Sequence, residues 1–193
     1  MKAIGISGSP RKDGNTQILV NHCLKAMAEE GIDIELISLA GMNITGCKNC
    51  GHCGDHPGEC ATKDDAQPII AKMKEADAII VGSPVFYGSA TALVKGLLER
   101  AGYSNRGAYA GKVGGPVVVA RRAGQNFTFM ELMHWFHINR IINPGSTYWN
   151  MAFGREKGEV AKDEEGMRTV WNFGKNVAGM LKKIKDQTSE NLK

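Results

Sequence analysis

Four of the five cysteines of this 193-residue chain lie in one fourteen-residue stretch, CKNCGHCGDHPGEC. Their spacing is C-x2-C-x2-C-x6-C, at Cys47, Cys50, Cys53 and Cys60. Three thiolates two residues apart can surround one metal centre, and a fourth that follows a glycine-containing loop completes the four-thiolate set that iron–sulfur clusters use. Zinc also accepts four thiolates, but its sites more often use two separated C-x2-C pairs. The compact spacing favours a cluster, with zinc and free or oxidised thiols as alternatives.

The start of the chain bears on the state of these thiols. The residues MKAIGISGSPRKDGNT contain one lysine and then an apolar stretch shorter than that of a signal peptide. No apolar run approaches the roughly 18–20 residues of a membrane span. We therefore expect a cytoplasmic protein without membrane contact, in which disulfide bonds are disfavoured by the reducing compartment and by the strain of linking near neighbours.

Charge and composition exclude few classes of protein. The hydrophobic content of 42% and the charged content of 23% are ordinary for a globular protein. The net charge is +4, and the basic pairs at 121–122 and 182–183 are too short for a nucleic-acid footprint. We expect no nucleic-acid partner.

A second group of polar residues lies in the loop GSPRKDGNT (8–16), between a predicted strand and a predicted helix. It matches neither the G-x-G-x-x-G motif nor G-x-x-x-x-G-K-[ST], because no lysine follows Gly14. It does offer two hydroxyls, a guanidinium, an amide and the free N–H groups of a helix start, which together suit a terminal phosphate monoester. These side chains belong to Ser9, Arg11, Asn15 and Thr16. The alternative is a plain turn in which Asn15 or Thr16 caps the helix.

Two further loops should reach the same edge of a parallel sheet, where ligands bind beyond the carboxyl ends of the strands. In GSPVFYGSAT (82–91), Pro84 stiffens the turn, Phe86 and Tyr87 offer aromatic surface, and Gly88 allows close backbone approach. The loop ARRAGQN (120–126) is polar. Together the three loops suit a planar heterocycle with a phosphate tail, although core packing is an alternative for the two aromatic residues.

Strands and helices alternate along the chain with short connections. Strands are predicted at 2–7, 32–39, 78–84, within 114–126 and near 142–153. Helices are predicted at 15–30, 64–77, 89–102, 127–142 and 163–185. This order predicts one α/β domain over 1–185, with an open, mostly parallel sheet and helices on both faces. The cysteine-rich segment, 46–62, is an insertion after the second strand, and 186–193 is predicted to be a solvated tail.

Several other residues have simpler interpretations. Cys23, in the first helix, is expected to be a small buried apolar residue. His52 and His56 lie inside the cysteine-rich segment and are interpreted as exposed loop residues rather than ligands. The helix FTFMELMHWFHINRII is apolar on more than one side, which favours a core or oligomer face over a cover for a bound ligand.

Three stretches, SGSPRKDGNT, GSPVFYGS and WNMAFGREKGEVAKDEEG, together resemble the NADPH-dependent FMN reductase-like branch of the flavodoxin-like fold. The cysteine spacing resembles that of its iron–sulfur flavoproteins, and the similarity runs from residue 1 to about 185. The resemblance implies a five-stranded parallel sheet in the order 2-1-3-4-5, with FMN where the strand order reverses. It also implies a homodimer or homotetramer with the flavin near a subunit interface.

The resemblance also assigns site residues. It implies that Ser9, Arg11, Asn15 and Thr16 bind the FMN phosphate, and that the ribityl chain and flavin ring lie along Pro84, Val85, Phe86, Tyr87 and Gly88. Gly124 and Gln125 match the third flavin loop more loosely, because ARRAGQ departs from the glycine-rich pattern. Cys47, Cys50, Cys53 and Cys60 are implied to hold a [4Fe–4S] cluster, although some related flavoproteins keep such a segment without one.

Three functions remain open on the sequence alone. The first is an FMN- and [4Fe–4S]-containing oxidoreductase that exchanges electrons with a ferredoxin-like carrier or a small-molecule acceptor. The second is an NAD(P)H-dependent FMN, quinone or nitro/azo reductase without a cluster. The third is a non-catalytic electron carrier or a zinc-stabilised interaction module.

Overall fold

The computed structural model describes residues 1–190 and contains one five-stranded sheet. The strands are β1 (Lys2–Ser7), β2 (Asp33–Ser38), β3 (Ala78–Pro84), β4 (Val113–Ala120) and β5 (Met151–Phe153). Their order is β2-β1-β3-β4-β5, and every neighbouring pair is parallel. The predicted flavodoxin-like order is confirmed. The order reverses between β1 and β3, so the loops that follow these two strands leave the sheet side by side.

Helices cover both faces of the sheet, which explains why β3 and β4 are almost continuously apolar. On one face lie α1 (Asn15–Glu29) and α6 (Glu164–Glu190), packed with Phe173 and Val177 against residues such as Ile80 and Val117. On the other face lie α3 (Ala66–Glu75), α4 (Ala92–Ser104) and α5 (Gln125–Ile138), which share a core with Ile4 and Ile79. A short helix, α2 (His52–Asp55), lies in the cysteine-rich segment, and a 3-10 helix spans Glu159–Lys162.

Two predicted boundaries differ from the structure by more than four residues. The last helix does not end at 185 but continues to Glu190, so residues 186–190 of the predicted tail are helical, while 191–193 lie outside the described residues. The stretch KDQTSE contains no glycine or proline that would stop a helix, and Lys, Asp and Gln are acceptable on its exposed side. The fifth strand is only three residues long, because β4 pairs with it only over residues 118–120.

Cys23 is fully buried in α1, as predicted, and burial raises the pKa of its thiol. Within residues 1–190, no helix combines the length and the apolar character needed to span a membrane.

Candidate functional site

The loops that follow β1, β3 and β4 meet at the carboxyl edge of the sheet, around a cavity of about 420 Å³. This first cavity is lined by Ser9, Arg11, Asn15, Thr16, Pro84, Val85 and Phe86, among the predicted residues. Residues 154–156, after β5, also line it, and so does Arg121. The lining combines hydroxyls and arginines with apolar side chains.

Four predicted residues are not among those that line the first cavity: Tyr87, Gly88, Gly124 and Gln125. Gly124 lies beside the loop after β3, because a Cβ atom built on it would be 2.9 Å from a methyl of Val85 and 3.3 Å from Gly88 Cα. These two loops are therefore packed together at the rim. The roles of the four residues toward a flavin stay predictions.

The start of α1 lies beside the first cavity, which Asn15 and Thr16 line. The N-cap residue is Gly14, and no side chain caps the helix, so the alternative in which Asn15 or Thr16 is the cap is wrong. The hydroxyl of Ser9 accepts a hydrogen bond from Arg11 N–H at 3.1 Å, which curls the loop around the cavity. An uncapped helix start with Ser9, Thr16 and Arg11 beside it is a suitable site for a phosphate group.

The side-chain amide of Asn15 is bonded to the loop after β5, and its predicted role toward a phosphate stays a prediction. Its Nδ2 donates to Glu156 O at 2.8 Å, and its Oδ1 accepts from Gly158 N–H at 2.8 Å and from Val160 N–H at 3.4 Å. The amide therefore fastens the loop after β5 to the start of α1. Glu159 supports the same loop by accepting from the N–H groups of residues 155 and 156, both within 2.8 Å.

The aromatic loop forms a tight turn in which Phe86 and Ser89 exchange two backbone hydrogen bonds, at 2.9 and 3.0 Å. The two central residues have positive φ, +53° for Tyr87 and +76° for Gly88, as turns that join paired strands require. Phe86 is 47% exposed and the Tyr87 side chain is fully exposed. The alternative in which these two aromatic residues pack in the core is therefore wrong.

Glu131 of α5 stabilises this turn by hydrogen bonds. Its carboxylate accepts hydrogen bonds from Ser89 Oγ at 2.9 Å and from Ala90 N–H at 2.7 Å. Thr91, which precedes α4, donates from its hydroxyl to Gly8 O at 2.7 Å and so ties the loop after β3 to the loop after β1. Neither residue was predicted from the sequence. The signal for Glu131 was a lone carboxylate in the apolar run FTFMELMHWF.

All four clustered cysteines line a second cavity of about 550 Å³. It lies between the cysteine-rich segment and the C-terminal half of α4, which contributes Arg100, Tyr103 and Ser104. Cys47, Cys50, Cys53 and Cys60 thus border one cavity, and their role as cluster ligands stays a prediction. His52 and His56 stack on each other with ring centroids 4.2 Å apart and do not line this cavity.

A buried ion pair joins the second cavity to α4. Arg100 donates to both carboxylate oxygens of Asp64, at 2.7 and 2.5 Å, and both side chains are at most 3% exposed. Burial by itself would raise the pKa of Asp64, but hydrogen bonds from Arg100 and from the N–H groups of Thr45 and Ala66 outweigh it and lower this pKa to about 2. Burial likewise opposes ionisation of Cys60, yet hydrogen bonds from Thr62 and Arg100 lower the pKa of its thiol.

The donors of the second cavity fit an iron–sulfur cluster in number and in kind. Four thiols line it, and the charged residues that line it are all cationic, namely Lys48, Lys74, Arg100 and Arg106. Positive charge suits a group held by four thiolates. In the part of the chain that is described, no three His, Cys, Asp or Glu side chains are close enough together to hold one metal ion.

The two cavities lie toward opposite ends of α4. Thr91 contacts the loop of the first cavity, and Arg100, nine residues later, contacts Cys60 in the second. At 1.5 Å per helical residue, these two points are roughly 14 Å apart along the helix axis. The helix is thus a short rigid spacer between the sites.

The chain matches known proteins in sequence over nearly its whole length. Residues 1–156 match the family of NADPH-dependent FMN reductases. An iron-sulfur flavoprotein of Methanocaldococcus jannaschii is 42% identical over 197 residues, covering 96% of this chain and 100% of the relative. An iron-sulfur flavoprotein of Methanosarcina thermophila is 34% identical over 189 residues, covering 95% and 97%.

Solved structures agree on the fold. RosB, in a complex with an 8-demethyl-8-formylriboflavin-5′-phosphate intermediate, superposes with a TM-score of 0.75 at 15% identity, over 96% of this chain and 81% of that one. A flavodoxin from the domain Archaea gives a TM-score of 0.63 at 17% identity, over 94% and 99%. Taken with the family match and the relatives, these findings show that the chain is an FMN-dependent redox flavoprotein that belongs to the iron–sulfur flavoproteins, within the NADPH-dependent FMN reductase family.

Proposed function

We propose that this flavoprotein is an oxidoreductase that also holds a [4Fe–4S] cluster at Cys47, Cys50, Cys53 and Cys60. The observation that carries the proposal is that all four thiols line one cation-lined cavity at the far end of α4 from the flavin cavity. The names of the relatives support it, because both are called iron-sulfur flavoproteins. FMN exchanges one or two electrons and a cluster one at a time, so the pair would couple two-electron chemistry to one-electron carriers.

The chain's own residues would position the flavin. Ser9, Thr16 and the start of α1 would hold the phosphate with neutral donors, and Arg11 would add a charged fork. Val85 and Phe86 would lie against the flavin and exclude water from part of it. Of the predicted phosphate ligands, Asn15 supports the site through the loop after β5.

The electron donor in this proposal is a ferredoxin-like carrier, with a small-molecule acceptor at the flavin. Lys48, Lys74 and Arg106 line the cysteine cavity and suit an acidic one-electron carrier. The working form is a homodimer or homotetramer, since α5 exposes Phe127, Met130 and Ile138 on its surface. The site of action is the cytoplasm.

The second candidate is an NAD(P)H-dependent FMN, quinone or nitro/azo reductase without a cluster. The match of residues 1–156 to the NADPH-dependent reductases favours it. Stopped-flow reduction separates the two candidates. Rapid reduction of the flavin by NAD(P)H alone supports the second, whereas rapid reduction only by a reduced ferredoxin supports the first.

The first experiment is anaerobic purification followed by a visible spectrum and metal analysis. We expect flavin bands over a broad visible absorbance and about four irons per chain. Cys60→Ala should lose iron and keep FMN, whereas the matched control Cys23→Ala, at the buried cysteine of α1, should keep both. FMN without iron, after reconstitution with ferrous iron and sulfide, would contradict the proposal, and zinc in place of iron would favour the interaction module.

A further inference from the structure

One face of α4 is shaped to receive the backbone of the cysteine-rich segment. Gly96 lies where a Cβ atom would be 3.0 Å from Thr45 O, so the chain passes directly over the helix there. Three residues on, the carboxylate of Glu99 accepts from Cys47 N–H at 3.1 Å. The spacing of these residues, and of Arg100 and Ser104, places them on one side of the helix. We call this face, Gly96, Glu99, Arg100 and Ser104, the α4 platform.

The platform also holds the far part of the segment. The carbonyl of Ser104 accepts from Gly58 N–H at 2.7 Å. Gly58 lies two residues before Cys60, whereas Cys47 is the first of the four cysteines. Backbone on both sides of the cavity is therefore fixed by hydrogen bonds to a single helix.

Arg100 connects the two ends of the segment directly. It is 1% exposed, and its guanidinium donates to Thr62 O at 2.8 Å and to Thr45 O at 3.4 Å, residues that flank the four cysteines. Its Nε donates to Cys60 Sγ at 3.4 Å. Asp64 neutralises it and also accepts from Thr45 N–H at 3.0 Å. One side chain thus sets the width of the cavity and contacts one of its thiols.

Stability alone does not account for this arrangement. A buried ion pair contributes little net stability compared with apolar residues of the same volume. What a guanidinium adds is a planar fork of five donors that fixes several acceptors at once, which the single ammonium group of lysine does not reproduce. The guanidinium of Arg100 directs donors toward the cysteine-rich segment, at Cys60 and Thr62.

We propose that the α4 platform anchors the backbone at both ends of the cysteine-rich segment before any cluster enters, and that Arg100 is its positioning residue. The inference rests on the proposed function and adds a role for residues that are not ligands. A segment fixed in advance loses less freedom on binding, so a cluster would bind more tightly. The bond from Arg100 to Cys60 would also stabilise negative charge on that sulfur. It would therefore favour the reduced state of a bound cluster.

The test begins with cluster-free protein that retains FMN, in which amide hydrogen exchange is measured over residues 45–62. Arg100→Lys should accelerate exchange in this segment roughly tenfold or more, because a hydrogen bond to a charged group is worth about that factor. Arg106→Lys is the matched control, since Arg106 lines the same cavity but stacks over the ring of Tyr103. It should leave exchange unchanged.

The second readout follows anaerobic reconstitution with ferrous iron and sulfide. Arg100→Lys should hold less iron, and the cluster it does hold should have a lower midpoint potential and an altered EPR spectrum. If this variant loses FMN and so fails to fold, Asp64→Asn, which weakens the same fork, replaces it in both measurements. Arg106→Lys should match the wild type.

The outcomes separate the two proposals. A wild-type protein that never takes up iron overturns the proposed function without reference to any variant. A wild type that takes up iron, beside an Arg100→Lys protein with the same exchange rates and the same midpoint potential, overturns the role of the platform.

Discussion

Replacing Asn15 by alanine removes the side chain that fastens the loop after β5 to the start of α1. Two of its hydrogen bonds are 2.8 Å long, to Glu156 O and from Gly158 N–H, and both join parts of the chain itself. At about 1 kcal/mol net for each, Asn15→Ala should lower the free energy of unfolding of the flavin-free protein by about 2 kcal/mol. That is about a 30-fold change in an equilibrium constant.

Asn15→Ala should also weaken flavin binding, and by the same factor whether or not the flavin carries a phosphate. Flavin binds only to molecules in which the loop after β5 is in place, so the apparent affinity falls in proportion to the fraction of such molecules. Because the two lost bonds correspond to about a 30-fold change in that equilibrium, the loss of affinity is at most about 30-fold. FMN and riboflavin should lose affinity equally. The assay is therefore two flavin titrations by fluorescence quenching, with urea unfolding of the flavin-free protein beside them.

A different result would refute this reasoning. If Asn15→Ala leaves the unfolding free energy unchanged and weakens FMN but not riboflavin, the amide binds the phosphate directly and the tether is incidental. Gln17→Ala is the matched control, because the Gln17 side chain bonds locally to Asp13 in the same exposed turn, at 3.1 and 3.2 Å. Gln17→Ala should leave the affinities for FMN and riboflavin unchanged, because its bonds do not reach the loop after β5.

Three other changes test neighbouring parts of the two sites. Glu131→Ala, which removes the carboxylate behind the turn of the aromatic loop, should lower the unfolding free energy by about 2 kcal/mol, and Glu131→Gln, which keeps an acceptor, by less. Gly8→Ala would place a Cβ atom 1.8 Å from a methyl of Val94 and should cost about 2–3 kcal/mol by urea unfolding, and an unchanged midpoint would contradict the packing described. Asp64→Asn leaves Arg100 buried without a counter-ion and should cost about 3 kcal/mol at pH 7. The pKa of Asp64 is lowered to about 2, so its contribution is present above the unfolded pKa of about 4 and is lost as the pH falls through 2. Unfolding measured against pH should show the wild type and Asp64→Asn converging across that range, and a constant difference would contradict the assignment.

Much of the fold could be predicted because its signals are local. Strands buried on both faces need apolar runs, and AIIVGSP and the apolar residues after Gly115 are such runs. Alternation of strand and helix predicted a parallel sheet, and resemblance to a family supplied the strand order. The end of α6 was misplaced because polar residues are typical both of a tail and of the exposed side of a helix.

The sites were predictable only in part. Spacing alone grouped the four cysteines, and loop position alone brought Ser9, Arg11 and Thr16 to the carboxyl edge of the sheet. The aromatic pair was identified as functional surface, but whether it was exposed depended on the turn at Tyr87 and Gly88.

By itself, therefore, the sequence determined which residue types were available for phosphate and thiolate chemistry and on which loops they lie. Only the tertiary structure decided their partners. It placed the amide of Asn15 against a carbonyl 141 residues away, buried Arg100 against both ends of the cysteine-rich segment, and set Glu131 behind the aromatic turn. The physical reason is that the partner of a polar side chain depends on which distant backbone groups the packed helices bring within hydrogen-bond distance, and local spacing carries no record of that.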